Sequence, residues 1–452
     1  MKIKNYLFSA KASGLKKNGQ LDLALIFSDI PLRVSAVFTK NKIKAAPVTL
    51  SKKNSKNIIR ALIVNSGNAN ACTGTDGIKD AKKVMSLASE ALNIKEDNIL
   101  ICSTGVIGER LDTSKIENSF PELVRTMSED GAEEVARAIM TTDTFPKVVV
   151  KNITINNKNY HILGMAKGSG MIMPNMATML AFIMTDLPLS KNLGDNLFKE
   201  CVKYSFNAIT VDGDTSTNDT AFFLYPDADI YFGNNEPARR SGKNNNNNSS
   251  NKHVNATNLA NNNIADNNNV DEDYKYVRNP LHLADYDNGA FKGILEKDIN
   301  YDIIKYSVED VCFSLAKMIA EDGEGATKSV TVEVINAYSE LSAKKIAFSV
   351  ANSPLVKTAI AGEDLNWGRI MMAIGKTDAR IKPNYVDIYI NNFKIVENSK
   401  SLGFIGTENE KKIMSQKEIN IKIDLKCGPS FFKVLTCDFT NEYININASY
   451  RS

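Results

Sequence analysis

The run Met179-Leu180-Ala181-Phe182-Ile183-Met184 carries no polar residue and dictates a buried element. Just before it stand Pro174 and Asn175, a turn signal. Before those lie the small residues of 164–170 with a single cation, Lys167. One hydroxyl, Thr178, sits where the turn meets the buried run. A nucleophile works best where the backbone holds it rigidly and an apolar wall keeps water away. A lone threonine that merely starts a strand or helix is the commoner arrangement, so the rest of the chain must agree before Thr178 is given chemistry.

Histidine supplies the sharpest exclusion. The chain has His161, His253 and His282 only, none in a metal or triad motif. A Ser-His-Asp or Cys-His mechanism would have to rest on residues better read as structural, so the expected base is not histidine. The six cysteines are scattered without a Cys-x-x-Cys pair, which argues against a zinc clip or other bound metal. They read as buried free thiols in a reduced, cytoplasmic setting. A formal net charge of +3 gives no field for nucleic acid. The longest apolar runs are too short for a membrane span. Residues 1–7 have neither the apolar core of a secretory signal nor the Arg- and Ser-rich character of a transit peptide. No nucleic-acid or membrane partner is expected.

Along the chain, residues 21–27, 34–38 and 61–64 read as strands. Residues 65–74 form a loop of small polar residues, and 79–92 have helical spacing. The strand 98–102 runs into a turn at Ser103-Thr104-Gly105-Val106-Ile107-Gly108-Glu109, where glycines let backbone N–H groups point at a ligand; a plain tight turn is the simpler reading. Residues 116–139 are mostly helical, and Pro146 stops any helix before the expected hairpin 148–155 and 160–165 over an Asn156 turn. A helix at 192–207 and a strand at 208–211 precede Asp212-Gly213-Asp214-Thr215-Ser216-Thr217-Asn218-Asp219. These carboxylates suit calcium or magnesium, and faintly echo the nucleophile loop of haloacid-dehalogenase-type phosphotransferases, but an Asx-rich turn explains them better. The Asn-rich tract 235–269 cannot bury enough apolar surface and reads as a disordered insertion. Helices at 308–319 and 342–352 and strands at 329–334, 385–396 and 419–427 follow, with the chain end close behind a strand.

Residues 65–74, 103–108, 141–147, 164–180, 362–369 and the Tyr450-Arg451-Ser452 end together resemble the ornithine acetyltransferases, also called glutamate N-acetyltransferases. The resemblance covers the whole chain except the Asn-rich tract. That tract looks longer than the family's usual connection, and Ser452 replaces the usual Thr while keeping the hydroxyl. The resemblance implies a layered α/β fold, an α-β-β-α sandwich shared with a self-processing aminopeptidase group of the DmpA type. It implies self-cleavage between Ala177 and Thr178, into an N-terminal fragment 1–177 and a C-terminal fragment 178–452. Two copies of each fragment would assemble. Thr178 would become an amino-terminal nucleophile whose own α-amine, titrating near pH ~7.7–8.0, serves as base. It would carry acetyl from N2-acetylornithine to glutamate, with the oxyanion held by Thr104 and Gly105. The implied substrate contacts are Thr141, Lys167, Thr178, Glu363, Asn447 and Ser452. Lys167 suits the α-carboxylate common to both substrates, and Glu363 the cationic side chain of ornithine. No cofactor is implied; acetyl-CoA stays open as a second donor. A self-processing amidase or aminopeptidase on the same scaffold is the runner-up, and an amino-acid-binding protein without catalysis a third reading.

Overall fold

Strand patterning divides the chain between two sheets. The computed structural model describes residues 2–17, 19–173, 179–228, 230 and 301–449. All but Tyr301 and Asp302 of these belong to one compact unit. The Asn-rich tract 235–269, with His253, lies outside the described residues, as do His282, Ala177, Thr178 and Ser452.

The first sheet is built on β2 (Leu23–Phe38), which the sequence reads as two strands and the structure as one bent one. Residues 23–28 of β2 pair with β1 (Tyr6–Lys11), and 23–27 with β3 (Ile59–Asn68), which lies parallel to β4 (Ile99–Val106). Beyond a register break, residues 32–38 pair with β8 (Thr220–Pro226). From β8 the sheet continues through β7 (Leu180–Thr185) and β6 (Lys158–Lys167) to β5 (Lys147–Ile155). A strand bent in this way folds the sheet onto itself. Tyr6, Phe8, Ile26 and Val64 of one half share a core with Met165, Phe182 and Leu224 of the other. The Tyr6 hydroxyl reaches across to donate to the carbonyls of Thr185 (3.1 Å) and Leu224 (3.0 Å).

Helices close the outer faces. Between β2 and β3 runs α1 (Ala46–Asn54); α2 (Gly74–Leu92) and α3 (Thr113–Arg125) cover Leu25, Ile63 and Ile101. The short α4 (Ala132–Ile139) packs into the inter-sheet core. On the far side α5 (Lys191–Tyr204) and α6 (Tyr301–Glu321) cover Ile183 and Phe223. This is the α-β-β-α layering. Every residue of β7 is buried because each face meets a packed layer, which is why its sequence is a continuous apolar run. At Gly164 a Cβ would stand 2.5 Å from Val311 of α6, so the helix can lie on β6 only over a glycine.

The second sheet, in the order β12-β11-β10-β13-β9-β14, uses β9 (Ser329–Ala337), β10 (Asp387–Ile390), β11 (Phe393–Glu397), β12 (Lys400–Ser401), β13 (Glu418–Asp424) and β14 (Ser430–Cys437). One face packs on α7 (Glu340–Ala351), α8 (Pro354–Ala361) and α9 (Trp367–Gly375). Its alternating burial is the period-two pattern seen in the sequence.

Several local expectations change. Residues 103–106 continue β4 instead of forming a turn. Residues 116–139 split into α3 and α4 around a bend. Of 208–211, only Ile209 makes a strand contact, an isolated bridge to Leu435. A helix, Asn441–Ser449, separates the last strand from the chain end. Among the cysteines Cys72 is exposed and Cys427 partly so; the other four are buried.

Candidate active site

Lys167 ends β6 and pairs in register with Leu180, the first residue of β7. It is 3% exposed, and a buried ammonium must find partners. Its Nζ donates to the Thr141 hydroxyl at 2.7 Å and lies 4.0 Å from an Asp143 oxygen. Asp143 also accepts from Lys147 Nζ (2.7 Å) and the Gly168 N–H (2.7 Å). Lys147 completes its own shell with Asp322 at 2.5 Å. Burial lowers the pKa of Lys167, against the pull of Asp143, Glu324 and Asp219. Burial by itself would raise Asp143, but Lys167, Lys147 and the Gly168 N–H outweigh it and hold that carboxyl at about 2. The network is therefore a set of alternating charges removed from water, which fixes geometry more than it adds stability.

The chain leaving α6 brings a carboxylate, Glu324, whose charge acts on Lys167. Ser169 accepts the Glu324 N–H at its carbonyl (3.1 Å) and donates its hydroxyl to the Asp322 carbonyl (2.5 Å). Glu324 Oε2 accepts from Asn447 Nδ2 at 2.8 Å, tying in the helix Asn441–Ser449.

Thr104 and Gly105 lie near the end of β4. Both residues pair with β3, where the register shifts at Gly67 and Asn68. Gly105 has φ +130°, and a Cβ there would lie 2.4 Å from the Gly67 carbonyl carbon. No other residue fits. Buried Asn218 laces the two loops together, donating from Nδ2 to the carbonyls of Ser103 (2.7 Å) and Ala69 (2.6 Å). Its neighbour Asp219 accepts the Met179 N–H at 3.1 Å. A continuous set of contacts thus runs from Ser103 in β4 through Asn218 and Asp219 to Met179.

Of the residues singled out from sequence, Lys167 bonds Thr141 beside Asp143, and Asn447 bonds Glu324, whose charge acts on Lys167; Thr104 and Gly105 pair with β3, and their neighbour Ser103 is bonded to Asn218. Glu363 is not brought into this group. It follows the end of α8 with φ +56°, is half exposed, and pairs with Lys328 at 2.9 Å. Ala177, Thr178 and Ser452 lie outside the described residues. The sequence reading did not single out Asp143, Lys147, Asp322, Glu324 or Asn218. A signal existed for two of them: Asp322-Gly323-Glu324-Gly325 sets two carboxylates among glycines between an apolar helix and a strand. Asp212 is a backbone acceptor for Met171 (2.6 Å), Ile172 (2.9 Å) and Asp214 (3.2 Å). His161 pairs with Asp186 at 2.9 Å, six residues up β6 from Lys167 and so roughly 20 Å away along the strand.

A layered α/β scaffold that offers a buried cation, a buried carboxylate acting on it and a strand approach that only glycine permits defines an enzyme acting on small molecules. Residues 7–271 and 282–452 match the ArgJ family. The arginine biosynthesis bifunctional protein ArgJ of Geobacter sulfurreducens is 39% identical over 453 residues, covering 100% of both chains. A mitochondrial protein of the same name from Schizosaccharomyces japonicus is 36% identical, covering 99% of this chain and 93% of its own. The crystal structure of an ornithine acetyltransferase complexed with ornithine, from Mycobacterium tuberculosis, is 34% identical, covering 38% of this chain and 92% of that one with a TM-score of 0.34. The chain belongs to the ArgJ family.

Proposed function

We propose that this chain is a self-cleaving N-acetyltransferase of arginine biosynthesis. It moves the acetyl group of N2-acetyl-L-ornithine to L-glutamate, giving L-ornithine and N-acetyl-L-glutamate. The observation that carries the reading is Lys167, buried beside Thr141, acted on by the charge of Glu324, which holds Asn447, and in register with the strand that follows Thr178. An α-amino acid with a cationic side chain asks for one fixed cation and one fixed carboxylate. Lys167 takes the α-carboxylate, and Glu324 takes the cationic end, the part the sequence gave to Glu363.

In this reading the Thr178 hydroxyl attacks the Ala177 carbonyl, the Ala177 C–N bond breaks to leave an ester and a free Thr178 α-amine, and hydrolysis of the ester gives the Ala177 carboxylate and restores the Thr178 hydroxyl. That amine accepts the hydroxyl proton while Thr178 attacks the acetyl carbonyl, and returns a proton to the leaving ornithine nitrogen. Glutamate then takes the acetyl group by the reverse sequence. Thr104 and Gly105 stabilise the tetrahedral oxyanion. The proposal includes two copies each of fragments 1–177 and 178–452 in the working assembly, and acetyl-CoA as a second donor.

Incubating purified protein with N2-acetylornithine, with and without glutamate, tests it. Acetyl transfer only when glutamate is present is the expected result. Release of free acetate in both tubes would make the protein an amidase instead.

A further inference from the structure

Lys147, the first residue of β5, is fully buried and takes no part in the chemistry above. Its ammonium has three hydrogens to place. Nζ donates to Asp143 Oδ1 (2.7 Å) and to Asp322 Oδ2 (2.5 Å), and the ring of Phe145 lies 4.9 Å away. Both carboxylates are held from other directions as well. Asp143 accepts the N–H groups of Thr141 (2.9 Å) and Gly168 (2.7 Å), and Asp322 accepts the N–H of Thr144 (3.0 Å) and its hydroxyl. Two carboxylates gathered on one ammonium away from water fix position more than they add stability.

Each carboxylate leads to one charged end of the site. Asp143 grips both flanks of the cation: Thr141, whose hydroxyl accepts from Lys167 Nζ, and Gly168, the next residue in the chain. Asp322 stands two residues before Glu324. Its carbonyl accepts the Ser169 hydroxyl (2.5 Å), and the Ser169 carbonyl accepts the Glu324 N–H (3.1 Å). A Cβ at Gly170 would run into the Glu324 carboxylate, so that group lies against the chain three residues past Lys167. Lys147 bonds both supports at once.

We infer that Lys147 is a positioning residue for substrate length: by holding Asp143 and Asp322 on one ammonium it sets the separation between Lys167 and Glu324. This rests on the reading above, in which Lys167 takes the α-carboxylate and Glu324 the cationic end. The side chain of the substrate must then match that separation, so the network selects ornithine over lysine, one methylene longer. Selection by length needs a span that does not give, and a buried, fully bonded charge network is such a span.

The test compares kcat/KM for N2-acetylornithine and N2-acetyllysine, with glutamate as acceptor, in wild type, Lys147→Arg and Lys151→Arg. Wild type prefers acetylornithine by about tenfold or more, the scale for one methylene. Arginine keeps the charge but is longer and forked, so Asp143 and Asp322 must part and the preference is lost or reversed. A lysine that served stability alone would lower both values together and leave their ratio unchanged. Lys151 is the control: it too stands on β5 and pairs with Asp310 of α6 at 2.6 Å, but it bonds neither support, so Lys151→Arg keeps the wild-type ratio. Glu324→Gln is measured alongside. An unchanged KM for acetylornithine in that variant overturns the substrate reading itself. A raised KM there with a wild-type ratio in Lys147→Arg overturns this inference alone, as does a wild type that takes both donors equally. Should Lys147→Arg not fold, a crystal structure of the wild type with ornithine bound decides. Nζ on Asp143 and Asp322 and clear of the ligand, with Lys167 and Glu324 at the two ends of ornithine, supports the assignment. Any other arrangement, Nζ within ~2.7–3.2 Å of ornithine included, overturns it.

Discussion

Glu324 and Glu363 are both carboxylates near the start of the second sheet, yet their surroundings differ. Glu324 is buried, hydrogen-bonded to Asn447, and acts electrostatically on Lys167. Glu363 is half exposed and spends its charge on Lys328, whose Nζ also donates to the carbonyls of Met414 and Gln416. Sequence could not separate them, since burial depends on elements far apart in the chain. Glu324→Gln is expected to raise the KM for acetylornithine roughly tenfold, the scale for losing one hydrogen bond to a charged group. The KM for glutamate should hold or fall, because its side chain is an anion. Glu363→Gln should leave both constants unchanged and cost only the surface share of its ion pair. Steady-state kinetics with each substrate varied decides. A tenfold effect at Glu363 with none at Glu324 would reverse the assignment. Lys167 was legible as the one cation among small residues before a buried run, and Thr141 only through the family resemblance. Asp143 and Lys147 were not, because they matter through each other and through Asp322, 175 residues further on.

Among elements, the clearest in the sequence were those whose pattern answers to a single cause. The run 179–184 is apolar because two layers cover β7, and the β5–β6 hairpin turns at Asn156 and Asn157, both at positive φ, as a tight two-residue loop requires. Less legible were elements shaped by their neighbours. Asp29 and Pro31 made β2 look like two strands, whereas the break is where the strand changes partners. Likewise 103–106 read as a turn because glycine interrupts it, but Gly105 is there so that β4 can approach β3. That closeness gives a sharp prediction. Gly105→Ala must place a methyl carbon 2.4 Å from the Gly67 backbone at φ +130°, and the neighbour is main chain with no rotamer to yield. Strain of this kind costs about 1–3 kcal/mol from the dihedral alone, before the clash is counted. Gly105→Ala should therefore show a marked drop in urea midpoint with an unchanged slope, along with loss of activity. Normal stability with normal turnover would mean that the end of β4 relaxes freely and is not a fixed amide-lined site.

On the scale of the whole molecule, the boundary between residues 177 and 178 does not coincide with any boundary in the fold. In the first sheet, β7 and β8 come from the C-terminal side and are parallel neighbours. Each has its other edge filled by a strand from the N-terminal side: β6 along β7, and β2 along β8. The cores obey the same division, with Phe182 and Leu224 packed on Tyr6, Phe8 and Val64. A chain beginning at Thr178 would thus expose two unpaired strand edges and an apolar face, a combination that leads to aggregation. Expressed alone, residues 178–452 should be insoluble or self-associated. Co-expressed with residues 1–177, they should recover as a soluble complex, because pairing of β6 with β7 and of β2 with β8 needs no peptide bond across the cut. Size-exclusion chromatography of the two preparations reads the outcome directly. The same argument requires the products of any cleavage there to co-elute under native conditions and to separate only in denaturant. A soluble, monomeric 178–452 fragment would show that the second sheet and its helices can shield β7 and β8 by themselves, and the shared sheet would no longer explain why the two halves stay together.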